Sequence, residues 1–268
     1  MRTQIKSLVL FLSLTPAAAF ASVTDFNNWT LAEDPPHPGM SGSIDSASQV
    51  TLNAVGPVPD ATDIGYQSVD GNTPATSTSG YAFDPTASFA VSVDYDWSFA
   101  SALGGSGIGF GIGEDGAGDN SAGVALAAVN NTILGTAAAA RSSNGQVLQT
   151  VAVGGSATGS FHVAYDATSG DITVGTGTVG ANAPTATSTL AGSAVYDFWN
   201  TDADDDLLLV SLFLRSEDDA GSALALGSTT AVFSDLRVVS GSPVQVPEPS
   251  SLALLGLGGL LVVRRRRG

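Results

Sequence analysis

The chain has 268 residues, 9 Lys plus Arg against 25 Asp plus Glu, a formal net charge of −16 and no cysteine. Six basic residues (Arg2, Lys6 and Arg264 to Arg267) and one acid (Glu248) lie at the ends, so the stretch between them holds three basic and 24 acidic residues, a charge of −21. Such a body repels phosphate backbones, which excludes a nucleic-acid partner, and attracts divalent cations; disulfides, thiolate metal sites and thiol nucleophiles are excluded with the missing cysteine.

At the N-terminus, Arg2 and Lys6 precede a short apolar core, Leu8-Val9-Leu10-Phe11-Leu12-Ser13-Leu14, and Ala19-Phe20-Ala21 supplies small residues at the two positions that define cleavage. This predicts a secretory signal peptide over residues 1–21, cut after Ala21, and passage through the secretion machinery. An uncleaved N-terminal anchor is the alternative.

Residues 22–241 read as one all-β domain. Over residues 89–99 the odd positions are Phe89, Val91, Val93, Tyr95, Trp97 and Phe99, and the even ones are Ala90, Ser92, Asp94, Asp96 and Ser98. That alternation predicts a strand with one buried aromatic face and one wet face. Ile108, Phe110 and Ile112 alternate with glycines, which predicts a strand whose other face lies close to a backbone or a ligand. Residues 123–129 and 146–153 are further strands. Residues 132–141, with Ala137 to Ala140, suit one helical turn or a loop. Phe161, Val163 and Tyr165, then residues 166–171 as a turn, then Ile172-Thr173-Val174 predict a hairpin. Residues 175–194 are rich in Gly, Ala, Thr and Pro and read as a linker or as a long loop within one sandwich. Residues 207–214 are nearly continuous apolar and predict an inner strand buried on both sides. Residues 231–239 predict a closing strand with Val232, Leu236 and Val238 inward. Many short strands with turn signals between them predict an antiparallel, jelly-roll-like β-sandwich.

The tail, residues 242–268, carries Val246-Pro247-Glu248-Pro249, an apolar run from Leu252 to Val263, and Arg264-Arg265-Arg266-Arg267. The two prolines impose an extended, protease-accessible strip. The apolar run predicts a short hydrophobic helix. Residues 250–263 would span roughly 21 Å as a helix, short of the roughly 30 Å hydrocarbon core. The arginines stay on the cytoplasmic side, which leaves the body on the other. A permanent anchor and a temporary sorting signal are both open on this reading.

These three parts in this order resemble the PEP-CTERM sorting domain of exported bacterial proteins. The resemblance covers residues 246–268. It implies that a membrane-embedded exosortase-type enzyme recognises Pro247, Glu248 and Pro249 and removes the tail. It also implies transient inner-membrane anchoring, then a place on the cell surface or in an exopolysaccharide or biofilm matrix. The body, through residues 89–99, 107–113, 161–174 and 231–239, resembles concanavalin-like or laminin-G-like jelly rolls at the level of pattern.

Motifs for chemistry are sparse. Gly111-Ile112-Gly113-Glu114-Asp115-Gly116 matches a dinucleotide fingerprint in letters, but no βαβ unit follows and two acids would face a pyrophosphate. Asp202, Asp204 and Asp206 alternate as calcium-loop acids do, yet Leu207 and Phe213 stand where a helix-loop-helix site needs Gly and Glu. They remain candidate calcium ligands in a non-standard site, as do Glu114, Asp115 and Asp119. Asp94 and Asp96, two apart on one strand face, are the candidate acid pair of a glycosidase. His37 and His162 read as surface residues. Trp29, Trp97 and Trp199 are the tryptophans for a sugar-stacking platform, with Trp97 in phase with the core and Trp199 the candidate ligand residue. No cofactor is expected beyond calcium. The expectation is a non-enzymatic exported protein. A carbohydrate-binding module with a polysaccharide partner is the alternative, and a hydrolase is the third reading.

Overall fold

The computed structural model describes residues 25–71, 73–74, 76–114, 121–129, 132–141, 146–191, 207–216 and 224–246. Two antiparallel sheets of seven strands each pack face to face as a jelly-roll-like sandwich. The first sheet runs, in spatial order, β1 (Thr30–Asp34), β4 (Thr62–Gln67), β14 (Leu209–Ser216), β7 (Gly105–Gly113), β8 (Ser121–Val129), β9 (Thr132–Arg141) and β10 (Gln146–Val153). The second runs β13 (Ala186–Leu190), β12 (Ile172–Gly177), β11 (Thr158–Tyr165), β6 (Phe89–Leu103), β15 (Leu226–Ser240), β3 (Gln49–Val55) and β2 (Met40–Ser46). A short ribbon joins β5 (Tyr81–Ala82) to β16 (Val244–Gln245). Among the described residues no helix is long and apolar enough to cross a membrane. The expected signal peptide and the apolar run of the tail lie outside the described residues.

Alternation builds the core. Phe89, Val91, Val93, Tyr95 and Trp97 of β6 turn inward and meet Phe161, Val163 and Tyr165 of β11 and Ile108, Phe110 and Ile112 of β7. Tyr95 stacks on Phe161 with ring centroids 4.2 Å apart, and Phe83 stacks on Phe89 at the same separation. The Trp97 indole donates to the Thr229 hydroxyl at 2.8 Å, which satisfies its one polar atom inside the core. The predicted hairpin forms with Tyr165 opposite Ile172.

Several expectations are corrected. Residues 132–141 are strand β9, because pairing with β8 and β10 overrides the helix preference of alanine. The linker reading of residues 175–194 fails for its described part, since β12 and β13 pair within the second sheet. β15, the last long strand of the chain, lies in the middle of its sheet between β6 and β3. Its inward residues are Ala231 and Phe233, then Leu236, while Val232 is half-buried. A bulge at Asp235, whose φ is +50°, slips the register between Ser234 and Arg237 and reverses the phase. β14 is not buried on both sides: Val210, Leu212 and Leu214 are covered, while Ser211, Phe213 and Arg215 are half-buried on the outer face.

Candidate functional site

The two outer sheet faces differ in chemistry. On the first sheet, register places three rows of side chains across a groove. Thr30, Gln67, Ser211, Gly111 and Gly123 form one row, and Ala32, Gly65, Phe213, Gly109 and Ala125 the next. Asp34, Asp63, Arg215 and Gly107 form the third. The groove holds about 740 Å³, and residues 30–34 with Asp70 and Gly71 complete its lining.

Phe213 sits at the centre of this groove with glycines on both flanking strands. A side chain at Gly109 would overlap the far edge of the Phe213 ring, so the missing Cβ gives the ring its seat. Arg215 Nε lies 3.4 Å from Asp63 Oδ1 at the half-exposed end of the groove. Gln67 donates to the Gly71 carbonyl at 2.8 Å and fixes the adjoining loop. In that loop Asp70 accepts from the Thr78 amide and hydroxyl, each at 2.6 Å, and from the Ser79 amide at 3.0 Å. Desolvation pushes the Asp70 carboxyl up, but the donors from Thr78 and Ser79 outweigh it and bring its pKa down to about 2.

On the second sheet the face expected to be wet is dry at its middle. Ser92 and Asp94 are buried, while Asp96 is exposed. Arg237 explains the burial. Its two terminal nitrogens donate to the two Asp94 carboxylate oxygens at 2.9 and 2.7 Å, and its Nε donates to the Ser92 hydroxyl at 3.2 Å. The segment that follows β12 folds back over this pair. The Gly180 amide donates to both Asp94 oxygens at 3.0 Å, and the Ala181 carbonyl accepts from Arg237 at 3.2 Å. Asp94 is therefore spent on an arginine and an amide, and the proposed facing acids Asp94 and Asp96 are not formed as a catalytic pair.

His162 is the second correction on this face, being 5% exposed rather than a surface residue. Its Nε2 lies 2.8 Å from the Ser160 hydroxyl, which donates in turn to the Thr178 carbonyl at 2.9 Å. The serine proton goes to the carbonyl, so the imidazole is the donor and the serine is not activated by it. Burial, reinforced by the Arg237 charge and opposed by Asp94, lowers the histidine pKa from 6.5. The folded state thus resists a proton that the unfolded chain takes up at 6.5, and stability is lost as pH falls through that value. Urea midpoints at pH 7.5 and 5.5 should differ in that direction, and the difference should shrink in His162→Gln. Asp70 acts in another window, between its unfolded pKa of 3.8 and about 2.

Trp29 is 4% exposed and packs edge-on to Phe26 and Tyr81, so it is a core residue and no sugar platform. His37 is half-buried and accepts from the Gly39 amide at 3.0 Å. Glu114 follows β7, while Asp115, Asp119, Trp199, Asp202, Asp204 and Asp206 lie outside the described residues. Among the described residues no cluster of three or more His, Asp or Glu side chains is placed to hold a metal ion. Val246 is buried against the body, while Pro247, Glu248, Pro249 and Arg264 to Arg267 lie outside the described residues, as do Ala19 and Ala21.

Residues 245–267 match the PEP-CTERM protein-sorting motif. No curated protein matches the chain. Among solved structures, the alginate lyase from Klebsiella pneumoniae is similar at 10% identity and a TM-score of 0.49, over 75% of this chain and 84% of that one. Winged bean acidic lectin, in complex with methyl-α-D-galactose, is similar at 14% identity and 0.44, over 78% and 93%. The Bacillus licheniformis β-glucanase is similar at 12% identity and 0.44, over 80% and 92%. Lyases, lectins and glucanases stand side by side in that set, and the likeness is one of backbone course, with no residue role carried across.

Proposed function

We propose that this chain is an exported, non-enzymatic surface or matrix protein. Its tail holds it briefly in the inner membrane until an exosortase-type enzyme removes it, and it then joins the exopolysaccharide outside the cell. The sorting motif over residues 245–267 carries this reading, because the Pro-Glu-Pro strip, the apolar run and the terminal arginines all fall inside it. The commitment of Asp94 to Arg237 and of Asp70 to its loop supports a role without catalysis. Changing Pro247, Glu248 and Pro249 together to alanine should leave uncleaved protein in the membrane fraction. Normal processing of that variant, followed by intact mass, would sink the sorting reading.

Phe213 in its groove favours a second reading, a lectin-like module on the same scaffold. A ring seated between glycine-bearing strands offers a flat apolar surface on which a sugar ring stacks, with Ser211 and Thr30 beside it as hydrogen-bonding groups. The rim acids Glu33, Asp34 and Asp63 and the body charge disfavour polyanions, so a neutral glycan suits the groove. Slowed migration of the protein in gels cast with neutral polysaccharide is its test, with free migration in every gel counting against it. Retention that chelator abolishes would mark a calcium-assisted form, for which Asp202, Asp204 and Asp206 are the acids on offer.

A further inference from the structure

The last described strand is held differently from every other. Val246, 6% exposed, packs with Val69 and Leu209 in a small apolar cluster separate from the main core. Its amide donates to the Gly80 carbonyl at 3.0 Å, which extends the two register pairs of β16 with β5, Val244 opposite Ala82 and Gln245 opposite Tyr81. Gly80 has φ +104°, and a Cβ there would overlap the Ser68 carbonyl, so glycine is required where the chain turns this close to β4.

The two sides of the ribbon are unequal. β5 is bolted to the sandwich: the Tyr81 amide donates to the Ser68 carbonyl at 2.8 Å, and the Ser68 hydroxyl donates to the Tyr81 carbonyl at 2.8 Å. That hydroxyl also accepts from the Val210 amide at 2.9 Å. β16 has two paired residues, the Val246 amide and one buried valine, while Val244 is 40% exposed. A two-residue antiparallel pairing is marginal by itself and belongs to the part of a fold that opens locally.

We infer that β16 is a detachable strap that couples the folded body to removal of the tail. While it is closed, Val246 is fixed in its pocket and the first two residues of the sorting motif, Gln245 and Val246, are bonded along β5. A processing enzyme that takes its substrate as an extended strip needs both edges of that backbone free. Opening the strap releases residues 241–246, roughly 20 Å of extended chain at about 3.4 Å per residue, and lets the strip enter a cleft. Strap opening therefore precedes tail removal. This rests on the tail being a processed sorting signal.

The test works from the body side, so that the tail sequence stays intact. Val69→Ala and Leu209→Ala both enlarge the Val246 pocket. In the full chain held in detergent micelles, amide exchange at Val246 should rise roughly tenfold in Val69→Ala, the effect of about two lost methylene contacts. In cells that make the protein, the rate of tail removal, read from intact mass over time, should rise in both variants. Faster exchange with tail removal at the wild-type rate overturns the coupling, and unchanged exchange in both variants overturns the strap. Wild-type protein that is never trimmed removes the sorting reading and this inference with it.

Discussion

Replacing Arg237 with alanine should lower the free energy of unfolding by about 3–5 kcal/mol, the cost of leaving a buried charge without its partner. Asp94 has a side chain 5% exposed and lies under residues 178–181, from which only the Gly180 amide would be left to it. The pair makes two parallel bonds, the geometry in which charge-assisted hydrogen bonds are strongest. Asp94→Ala should cost less, because Arg237 is 23% exposed and can turn its head group to solvent. Replacing both residues with leucine should recover much of the loss, since an apolar pair carries no desolvation penalty. Urea unfolding of the four proteins decides the matter. Arg237→Ala within about 1 kcal/mol of the wild type would show that the pair behaves as an exposed ion pair does.

Phe213→Ala should abolish retention of the protein in neutral polysaccharide, a loss of at least about tenfold in affinity for an aromatic platform worth roughly 1.5 kcal/mol. The side chain is half-buried on the outer face of β14, so its removal spares the main core, and the melting temperature should move little. Gly109→Ala is the companion variant. It keeps the ring but pushes it off its seat, because the new Cβ overlaps the ring edge. Both variants should lose retention together. Retention unchanged in Phe213→Ala would place the glycan elsewhere or remove it altogether.

Much of the architecture is legible in the residues themselves. The strict alternation of β6 announces its inward face without error from Phe89 to Trp97, since a half-buried strand needs that period. The hairpin of β11 and β12 is equally plain, with its turn residues between two alternating runs. The phase of β15 is not legible, because one bulged residue, Asp235, reverses which positions face inward. β9 hides behind four alanines, whose local preference opposes the sheet that captures them. The groove leaves half a trace. The alternating glycines of β7 do signal a face close to a backbone or a ligand, but Phe213, which lies over them, reads as one more apolar residue in a continuous run. The Asp94 and Arg237 pair had one clue, an arginine on a predicted strand in a body with only three. What covers the pair, the backbone of residues 178–181, lies far away in sequence and carries no pattern of its own.

The central place of β15 bears on the order in which the molecule assembles. Its 15 residues join β6 on one edge and β3 on the other, so before it arrives the second sheet exists as two fragments with no shared edge. Along the chain this keystone comes last among the long strands. The second sheet therefore becomes one only when the residues up to Ser240 have joined it. Completion of the fold is thereby timed by where one strand falls along the chain.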